Sequence, residues 1–520
     1  MRHIEVYDTT LRDGSQAEGI SFSLFDKVQI ARRLDEMGFD FIEGGYPASN
    51  EKDSQLFREI AAAPLSSSKL CAFGMTRRKG MKAGDDDGLL ALLNAQTPVV
   101  TIVGKSSSFQ AVEIIRSTRE ENLAMIAETV AFFRAKNSRV IFDAEHFFDG
   151  FLDDPDYSIK VLETAAEAGA ETLVLCDTNG GSMPEYVAEV VGKLVRRIDT
   201  PFGVHAHNDC GLAVACSLAA VDAGASQVQG TINGFGERVG NADLIPIIAA
   251  LALKKKGAYR VLSPEAIVRL TELSRFVYET VNLQMPGGLP YVGKSAFAHK
   301  GGMHVSGIAR NKSAYEHIDP EAVGNQRRIL VSELSGRSNI VALTREVNQP
   351  ADLVLTQKVL DEVVARENEG YQYEAADGSF DLLVKRCAET FVPHFKLINF
   401  HTNIKLGEQG VMETEATVKI RVGDRIRHEV AEGDGPVNAL DAALRKALLP
   451  SYPQLAAVKL IDFKVRIINS DAATAATTRV VIESKDDNAV WGTVGVSANI
   501  VEASWIALVD SIEYKLNKDT

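Results

Sequence analysis

Two patterns alternate through the first half of the chain. Short β-branched runs end in small or polar residues, and a stretch with apolar residues at helical spacing follows them. The runs lie at 3–8, 40–46, 69–75, 98–104, 139–145, 171–177, 201–207 and 227–233. Helical periodicity predicts helices at Leu24–Met37, Asn122–Lys136, Ser158–Ala168, Glu185–Ile198 and Leu212–Ala223, and a last one near Ala242–Lys255. Gly38, Gly169 and Gly224 stand just past three of these, where a residue that tolerates a left-handed backbone stops a helix. Eight strand–helix units in about 255 residues is the arithmetic of a (β/α)8 TIM barrel. A doubly wound parallel sheet has the same periodicity and stays open on pattern alone.

From about 260 to 390 the pattern turns helical with Gly-rich breaks, the clearest at Met285-Pro286-Gly287-Gly288-Leu289-Pro290. A helix is expected from Asp352 to Arg366, ending at the Gly370 turn. The last 130 or so residues read as a duplication. Lys396-Leu397-Ile398-Asn399-Phe400 recurs 63 residues later as Lys459-Leu460-Ile461-Asp462-Phe463. Each copy is followed by two more strand patterns, Glu413–Arg421 with Arg425–Val430, and Thr477–Glu483 with Ala489–Val496. Each closes with a helix, Pro436–Leu448 and Ile500–Leu516. The expected division is a barrel at 1–258, helical linker subdomains at 259–390, and an α+β domain of repeated β–β–β–α units at 391–520, able to pair with a partner chain.

Composition narrows the function classes. Of 520 residues, 45% are hydrophobic and 24% charged, which is ordinary for globular domains. Lys+Arg number 56 against 70 Asp+Glu, a net charge of −14. That average field repels phosphate, so a nucleic-acid surface or an anionic membrane is not expected as partner. The longest apolar run, Leu244–Leu253, is too short to span a bilayer and contains Pro246. No signal peptide is read at the N-terminus. Five scattered cysteines without a CxxC suit a reduced, cytoplasmic chain.

The chemistry-bearing residues cluster where the expected strands end. These ends read Asp8-Thr9-Thr10-Leu11-Arg12-Asp13, Asp143-Ala144-Glu145-His146, Asp177-Thr178-Asn179, His205-Ala206-His207-Asn208 and Asn233-Gly234-Phe235-Gly236-Glu237-Arg238-Val239-Gly240-Asn241. In a barrel those ends converge on one mouth. His205 and His207 stand two apart on a strand, so both rings face the same way. With Asp13 and Asn241 they form a candidate divalent-metal site, and mixed nitrogen and oxygen donors suit Zn²⁺, Mn²⁺ or Mg²⁺. Arg12 is a candidate for stabilising an enolate or oxyanion. Glu145 is a candidate acid or base, and Thr178 a candidate donor to a substrate carboxylate. No GxGxxG or GxxxxGK[ST] occurs, so nucleotide-loop motifs are absent.

Taken together, these residues resemble the 2-isopropylmalate, homocitrate and citramalate synthase family of metal-dependent TIM-barrel acyltransferases. Leu11-Arg12-Asp13-Gly14-Ser15-Gln16 with Lys27 is similar to its first signature. His205-Ala206-His207-Asn208-Asp209-Cys210-Gly211-Leu212 is similar to its second, and Gly236-Glu237-Arg238-Val239-Gly240-Asn241 to its strand-eight loop. The resemblance implies a homodimeric enzyme that condenses acetyl-CoA with a 2-oxo acid. It implies metal ligands at Asp13, His205, His207 and Asn241. It assigns charge stabilisation to Arg12 and carboxylate binding to Thr178, and makes Glu145 a base in competition with His304 of the linker, which Tyr315 assists. It also implies that the duplicated tail is a regulatory and dimerisation domain. Glu43–Asn50 and Gly370–Phe380 resemble the pyruvate-using branch, which serves isoleucine synthesis, so isoleucine is the expected effector. Use of 2-oxoisovalerate, as in 2-isopropylmalate synthesis, or of 2-oxoglutarate, as in homocitrate synthesis, is the alternative acceptor chemistry. A barrel lyase or aldolase would share the HxH site but lacks the tail. A non-catalytic metal scaffold has no need of Arg12 or His304.

Overall fold

The computed structural model describes residues 1–255, 257–330, 353–406, 410, 412–468 and 476–518. They form two compact units, Met1–Phe297 with Ile318–Gln326, and Ala298–His317 with Arg327–Thr520.

The first unit is a closed parallel barrel of eight strands: β1 (Glu5–Asp8), β2 (Phe41–Gly45), β3 (Lys69–Met75), β4 (Val99–Lys105), β5 (Arg139–Glu145), β6 (Thr172–Asp177), β7 (Phe202–Ala206) and β8 (Gln227–Gly230). β8 closes onto β1, with Glu5–Asp8 opposite Gln227–Gly230. The doubly wound alternative is thereby excluded. Tyr7, Phe41, Cys71, Val99, Ile141, Val174 and Cys176 fill the barrel interior, where side chains at alternate strand positions point. The apolar faces of the surrounding helices pack outside. Gly38, Gly169 and Gly224 adopt φ of +77°, +104° and +129°, which is why those helices stop there.

Two local features differ from the sequence reading. Residues 3–8 do not form one strand, because Arg2–His3 pairs instead with Tyr259–Arg260. The last barrel helix is regular only over Leu244–Ala249 and continues as a π-turn over Ala250–Lys254. Helices Glu51–Ala62 and Asp87–Asn94 follow β2 and β3 and supply two of the eight strand–helix units.

In the second unit the duplication is structural. β9 (Lys396–Leu406), β10 (Met412–Val422) and β11 (Arg425–Gly433) form one antiparallel sheet, and β12 (Lys459–Ile467), β13 (Thr478–Lys485) and β14 (Val490–Ser497) form another. The first strand of each copy shifts register at the equivalent place, between Leu397 and Asn399 and between Leu460 and Asp462. Helices Pro436–Leu448 and Ile500–Lys518 cover one face of this pair of sheets with Leu440, Leu444, Trp505 and Ile512. On the first strand of each copy Ile398, Ile404, Val465 and Ile467 stay exposed. The linker helix spans Leu353–Asn368, and the Asp352 expected to open it lies outside the described residues. No described helix is long and apolar enough to cross a membrane.

Candidate metal centre and active site

Strand parity builds the site. His205 lies on β7 and His207 just past its end, so both rings turn into the mouth, their centroids 5.3 Å apart. Asp13 arrives from the turn after β1. Asn241 comes back from the strand-eight loop, where it bridges to His207 across the backbone. All four are buried. Asn241 Nδ2 donates to Asp13 Oδ2 at 2.8 Å, and His205 Nε2 and His207 Nε2 lie 3.3 and 3.8 Å from that same oxygen.

Two glycines permit the loop to reach in. A Cβ at Gly236 would sit 1.8 Å from Asn241 Oδ1. Gly240 has φ +101°, and a Cβ there would meet the Gly234 carbonyl oxygen at 1.9 Å.

The donor set fits a divalent cation. One ligand atom each from Asp13, His205 and His207 falls within 4.8 Å of the others. His205 Nδ1 faces Gln229 Oε1 at 3.0 Å, which places the ring proton on Nδ1 and leaves the Nε2 lone pair turned to Asp13. His207 Nδ1 and Asn241 Oδ1 are buried without a hydrogen-bond partner. Rotating the Asn241 amide by half a turn exchanges Nδ2 for Oδ1 and offers the cluster a further oxygen donor.

The electrostatics keep Asp13 an anion and His207 a neutral ring. Burial would push the Asp13 carboxyl up, but Arg12 beside it and the hydrogen bond with His205 hold it far below the ordinary range. Burial, and then the neighbouring His205, push His207 down to about 4, so its ring is a neutral ligand near pH 7. Burial also opposes charge on His205, yet its contact with Asp13 outweighs that and raises its pKa, so a proton competes with a cation at this ring.

Arg12 is locked from three sides. Its Nε donates to Glu43 at 2.5 Å, its Nη1 lies 3.5 Å from Asp13 Oδ1, and its guanidinium carbon stands 3.9 Å over the Phe73 ring. Glu43 is fully buried and also accepts from Tyr7 Oη and Thr9 Oγ1. Thr178 stands at the end of β6, where its Oγ1 accepts from the His146 backbone N–H at 2.8 Å and its carbonyl accepts from Arg238. Its hydroxyl proton therefore remains to be donated.

Glu145 ends β5 and pairs with Lys105. It borders a cavity of about 570 Å³ that Tyr46, Met75 and Lys105 also line. His304 and Tyr315 belong to the second unit, where their rings stack at 4.0 Å between centroids and 17° between planes.

Sequence reasoning missed Glu43, Asp143 and Gln229. The available signal was parity. Asp143 precedes Glu145 by two, and Gln229 lies between Gln227 and Thr231 at alternate positions, so polar residues repeat on the inward face of β5 and of the β8 segment.

Fold and site together define a TIM-barrel protein of the HMGL-like class, whose family model matches residues 3–277. Models described as the homocitrate synthase post-HMGL domain and the LeuA allosteric (dimerisation) domain match residues 291–370 and 374–516. The chain is 50% identical to an (R)-citramalate synthase of Geobacter sulfurreducens, across 100% of this chain and 98% of that one. It is 49% identical to one of Aquifex aeolicus, across 99% and 98%. A probable 2-isopropylmalate synthase of Methanopyrus kandleri is more distant, at 34% across 98% and 97%. The chain belongs to the (R)-citramalate synthase family.

Proposed function

We propose that this chain condenses acetyl-CoA with pyruvate and hydrolyses the thioester, yielding (R)-citramalate and CoA for isoleucine synthesis. What carries the reading is the convergence of Asp13, His205 and His207 at the barrel mouth, on a chain whose full-length relatives at 40–50% identity are (R)-citramalate synthases.

Asp13, His205 and His207 hold a divalent cation, Zn²⁺, Mn²⁺ or Mg²⁺, with Asn241 as a further oxygen donor. When bound, such an ion polarises a 2-oxo acid's carbonyl as a Lewis acid. Arg12, fixed by Glu43 and Phe73, stabilises the negative charge that develops on the acceptor oxygen. Thr178 donates its hydroxyl proton to the acceptor carboxylate. Glu145 or His304 removes a methyl proton from acetyl-CoA, and Tyr315 holds the His304 ring by stacking. Arg12→Ala is expected to abolish turnover while the protein still binds metal. Comparing Glu145→Gln with His304→Ala by solvent-deuterium exchange into acetyl-CoA identifies the base, since only its loss stops exchange.

The duplicated tail is proposed to dimerise, supported by its match to the LeuA allosteric (dimerisation) domain and by the exposed apolar residues of β9 and β12, and to bind isoleucine as an inhibitor. The cytoplasm is the proposed compartment, supported by five free cysteines. Chiral chromatography of the product from pyruvate and acetyl-CoA tests the function. (R)-Citramalate is expected, and the absence of any condensation product overturns the reading.

A further inference from the structure

Behind His205 of the candidate metal centre stand two side chains, Gln229 and Asp143, to which the proposed reaction assigns no role. His205 Nδ1 meets Gln229 Oε1 at 3.0 Å, and Gln229 Nε2 donates to Asp143 Oδ1 at 3.1 Å. All three residues are buried, Gln229 completely. Gln229 Nε2 also lies 3.4 Å from Gln227 Oε1, so its amide nitrogen faces two acceptors.

Those two acceptors settle which way the Gln229 amide points. With its nitrogen turned to Asp143 and Gln227, its oxygen must face His205. An oxygen facing Nδ1 can only accept, so the imidazole proton is held on Nδ1 and the Nε2 lone pair is kept in the cluster with Asp13. Without this anchor a neutral imidazole could carry its proton on Nε2, where it would donate to Asp13 and block ligation. Asp143 itself cannot reach His205 directly in this arrangement, and it acts by fixing the amide. Its carboxyl is buried near Glu43 and is pushed up to about 7, by burial first and by Glu43 second. A hydrogen bond from Gln229 is needed whichever form it takes, because an unpaired buried carboxyl is costly.

We propose that Asp143 and Gln229 are positioning residues that set the tautomer and orientation of His205 for divalent-cation binding. The proposal rests on the assignment of Asp13, His205 and His207 as the metal site and adds the buried relay that prepares one of them.

The test is cation affinity of the full-length, metal-stripped protein, measured by competition with a chelator for Co²⁺, with the Co²⁺ absorption spectrum as a second readout. Gln229→Leu is expected to weaken binding by about 10–100-fold and to alter the spectrum, the usual effect of losing a partner behind a metal ligand. The double variant Asp143→Asn with Gln229→Glu keeps an acceptor for His205 Nδ1 and a donor–acceptor pair behind it. It is expected to recover affinity to within a few-fold of wild type, a rescue that a purely space-filling role would not produce. Circular dichroism confirms that each variant is folded, and if Gln229→Leu does not fold, the double variant against Asp143→Leu carries the comparison. Binding by Gln229→Leu within two-fold of wild type overturns the relay, and so does a double variant as weak as the single. Asp13→Asn separates the two readings. If it leaves wild-type affinity unchanged, the metal-site assignment itself fails.

Discussion

Gly236→Ala is the smallest change that should dismantle the site. The added methyl would stand 1.8 Å from Asn241 Oδ1 and 3.1 Å from its backbone nitrogen, where ordinary van der Waals contact is 3.4–4 Å. Asn241 is 1% exposed, so its amide has no solvent-facing rotamer to adopt. Moving it clear of the methyl breaks the 2.8 Å bond to Asp13 and the 3.3 Å contact with His205. Loss of the Asn241 amide's contact with a charged group, here its oxygen with the cation, is worth about 1.5–3 kcal/mol, or roughly 10–150-fold in metal affinity. Overpacking adds about 1–3 kcal/mol to the cost of folding. Isothermal titration of metal into the stripped protein reads the first effect, and the thermal midpoint reads the second. Gly84→Ala is the control, since a Cβ there meets nothing within 4 Å. If Gly236→Ala binds metal as wild type does and turns over normally, Asn241 is not part of the centre and the loop's close approach has no functional meaning.

Two further outcomes concern the barrel. Lys27 and Asp53 form a buried pair at 2.6 Å, and Asp53 also holds the Tyr46 backbone N–H after β2. Lys27→Met should cost about 3–5 kcal/mol by stranding Asp53, and Lys27→Met with Asp53→Leu should recover most of it; denaturation midpoints that do not separate the two variants would disprove this. Asp8 is fully buried and pushed up to about 7, by burial above all, with bonds from Thr10 working against the shift. Between about pH 4 and 7 the unfolded chain has released that proton while the folded chain keeps it, so stability falls as pH rises, by up to about 1.4 kcal/mol per unit. Asp8→Asn should flatten that slope in urea unfolding followed by circular dichroism at pH 5 and 6.5, and parallel slopes would contradict the assignment.

The barrel was legible because its strands are buried on both faces and separated by helices with clear stops. The candidate metal site was legible because His205 and His207 obey the two-residue period and Asp13 lies in the turn just after β1, at the same mouth. The duplicated tail showed itself in the repeat of Lys396–Phe400 at Lys459–Phe463. Other features depend on neighbours that are remote in sequence. Arg2–His3 leaves β1 because its partner is Tyr259–Arg260, more than 250 residues away. Helix Glu51–Ala62 carries a charged first turn, and its apolar side becomes evident only against the barrel. Glu43, Asp143 and Gln229 sit on three different strands, and nothing in any one strand shows that their side chains support Arg12 and His205.

Thiol release from acetyl-CoA, measured against pyruvate, 2-oxoisovalerate and 2-oxoglutarate with and without a chelator, reads the proposed condensation and its need for a metal in one assay. Fast CoA release with pyruvate, little with the other two acids, and loss of release in chelator that Mn²⁺, Zn²⁺ or Mg²⁺ restores are expected. Release that prefers 2-oxoisovalerate, or no release with any of the three, would contradict the proposed function.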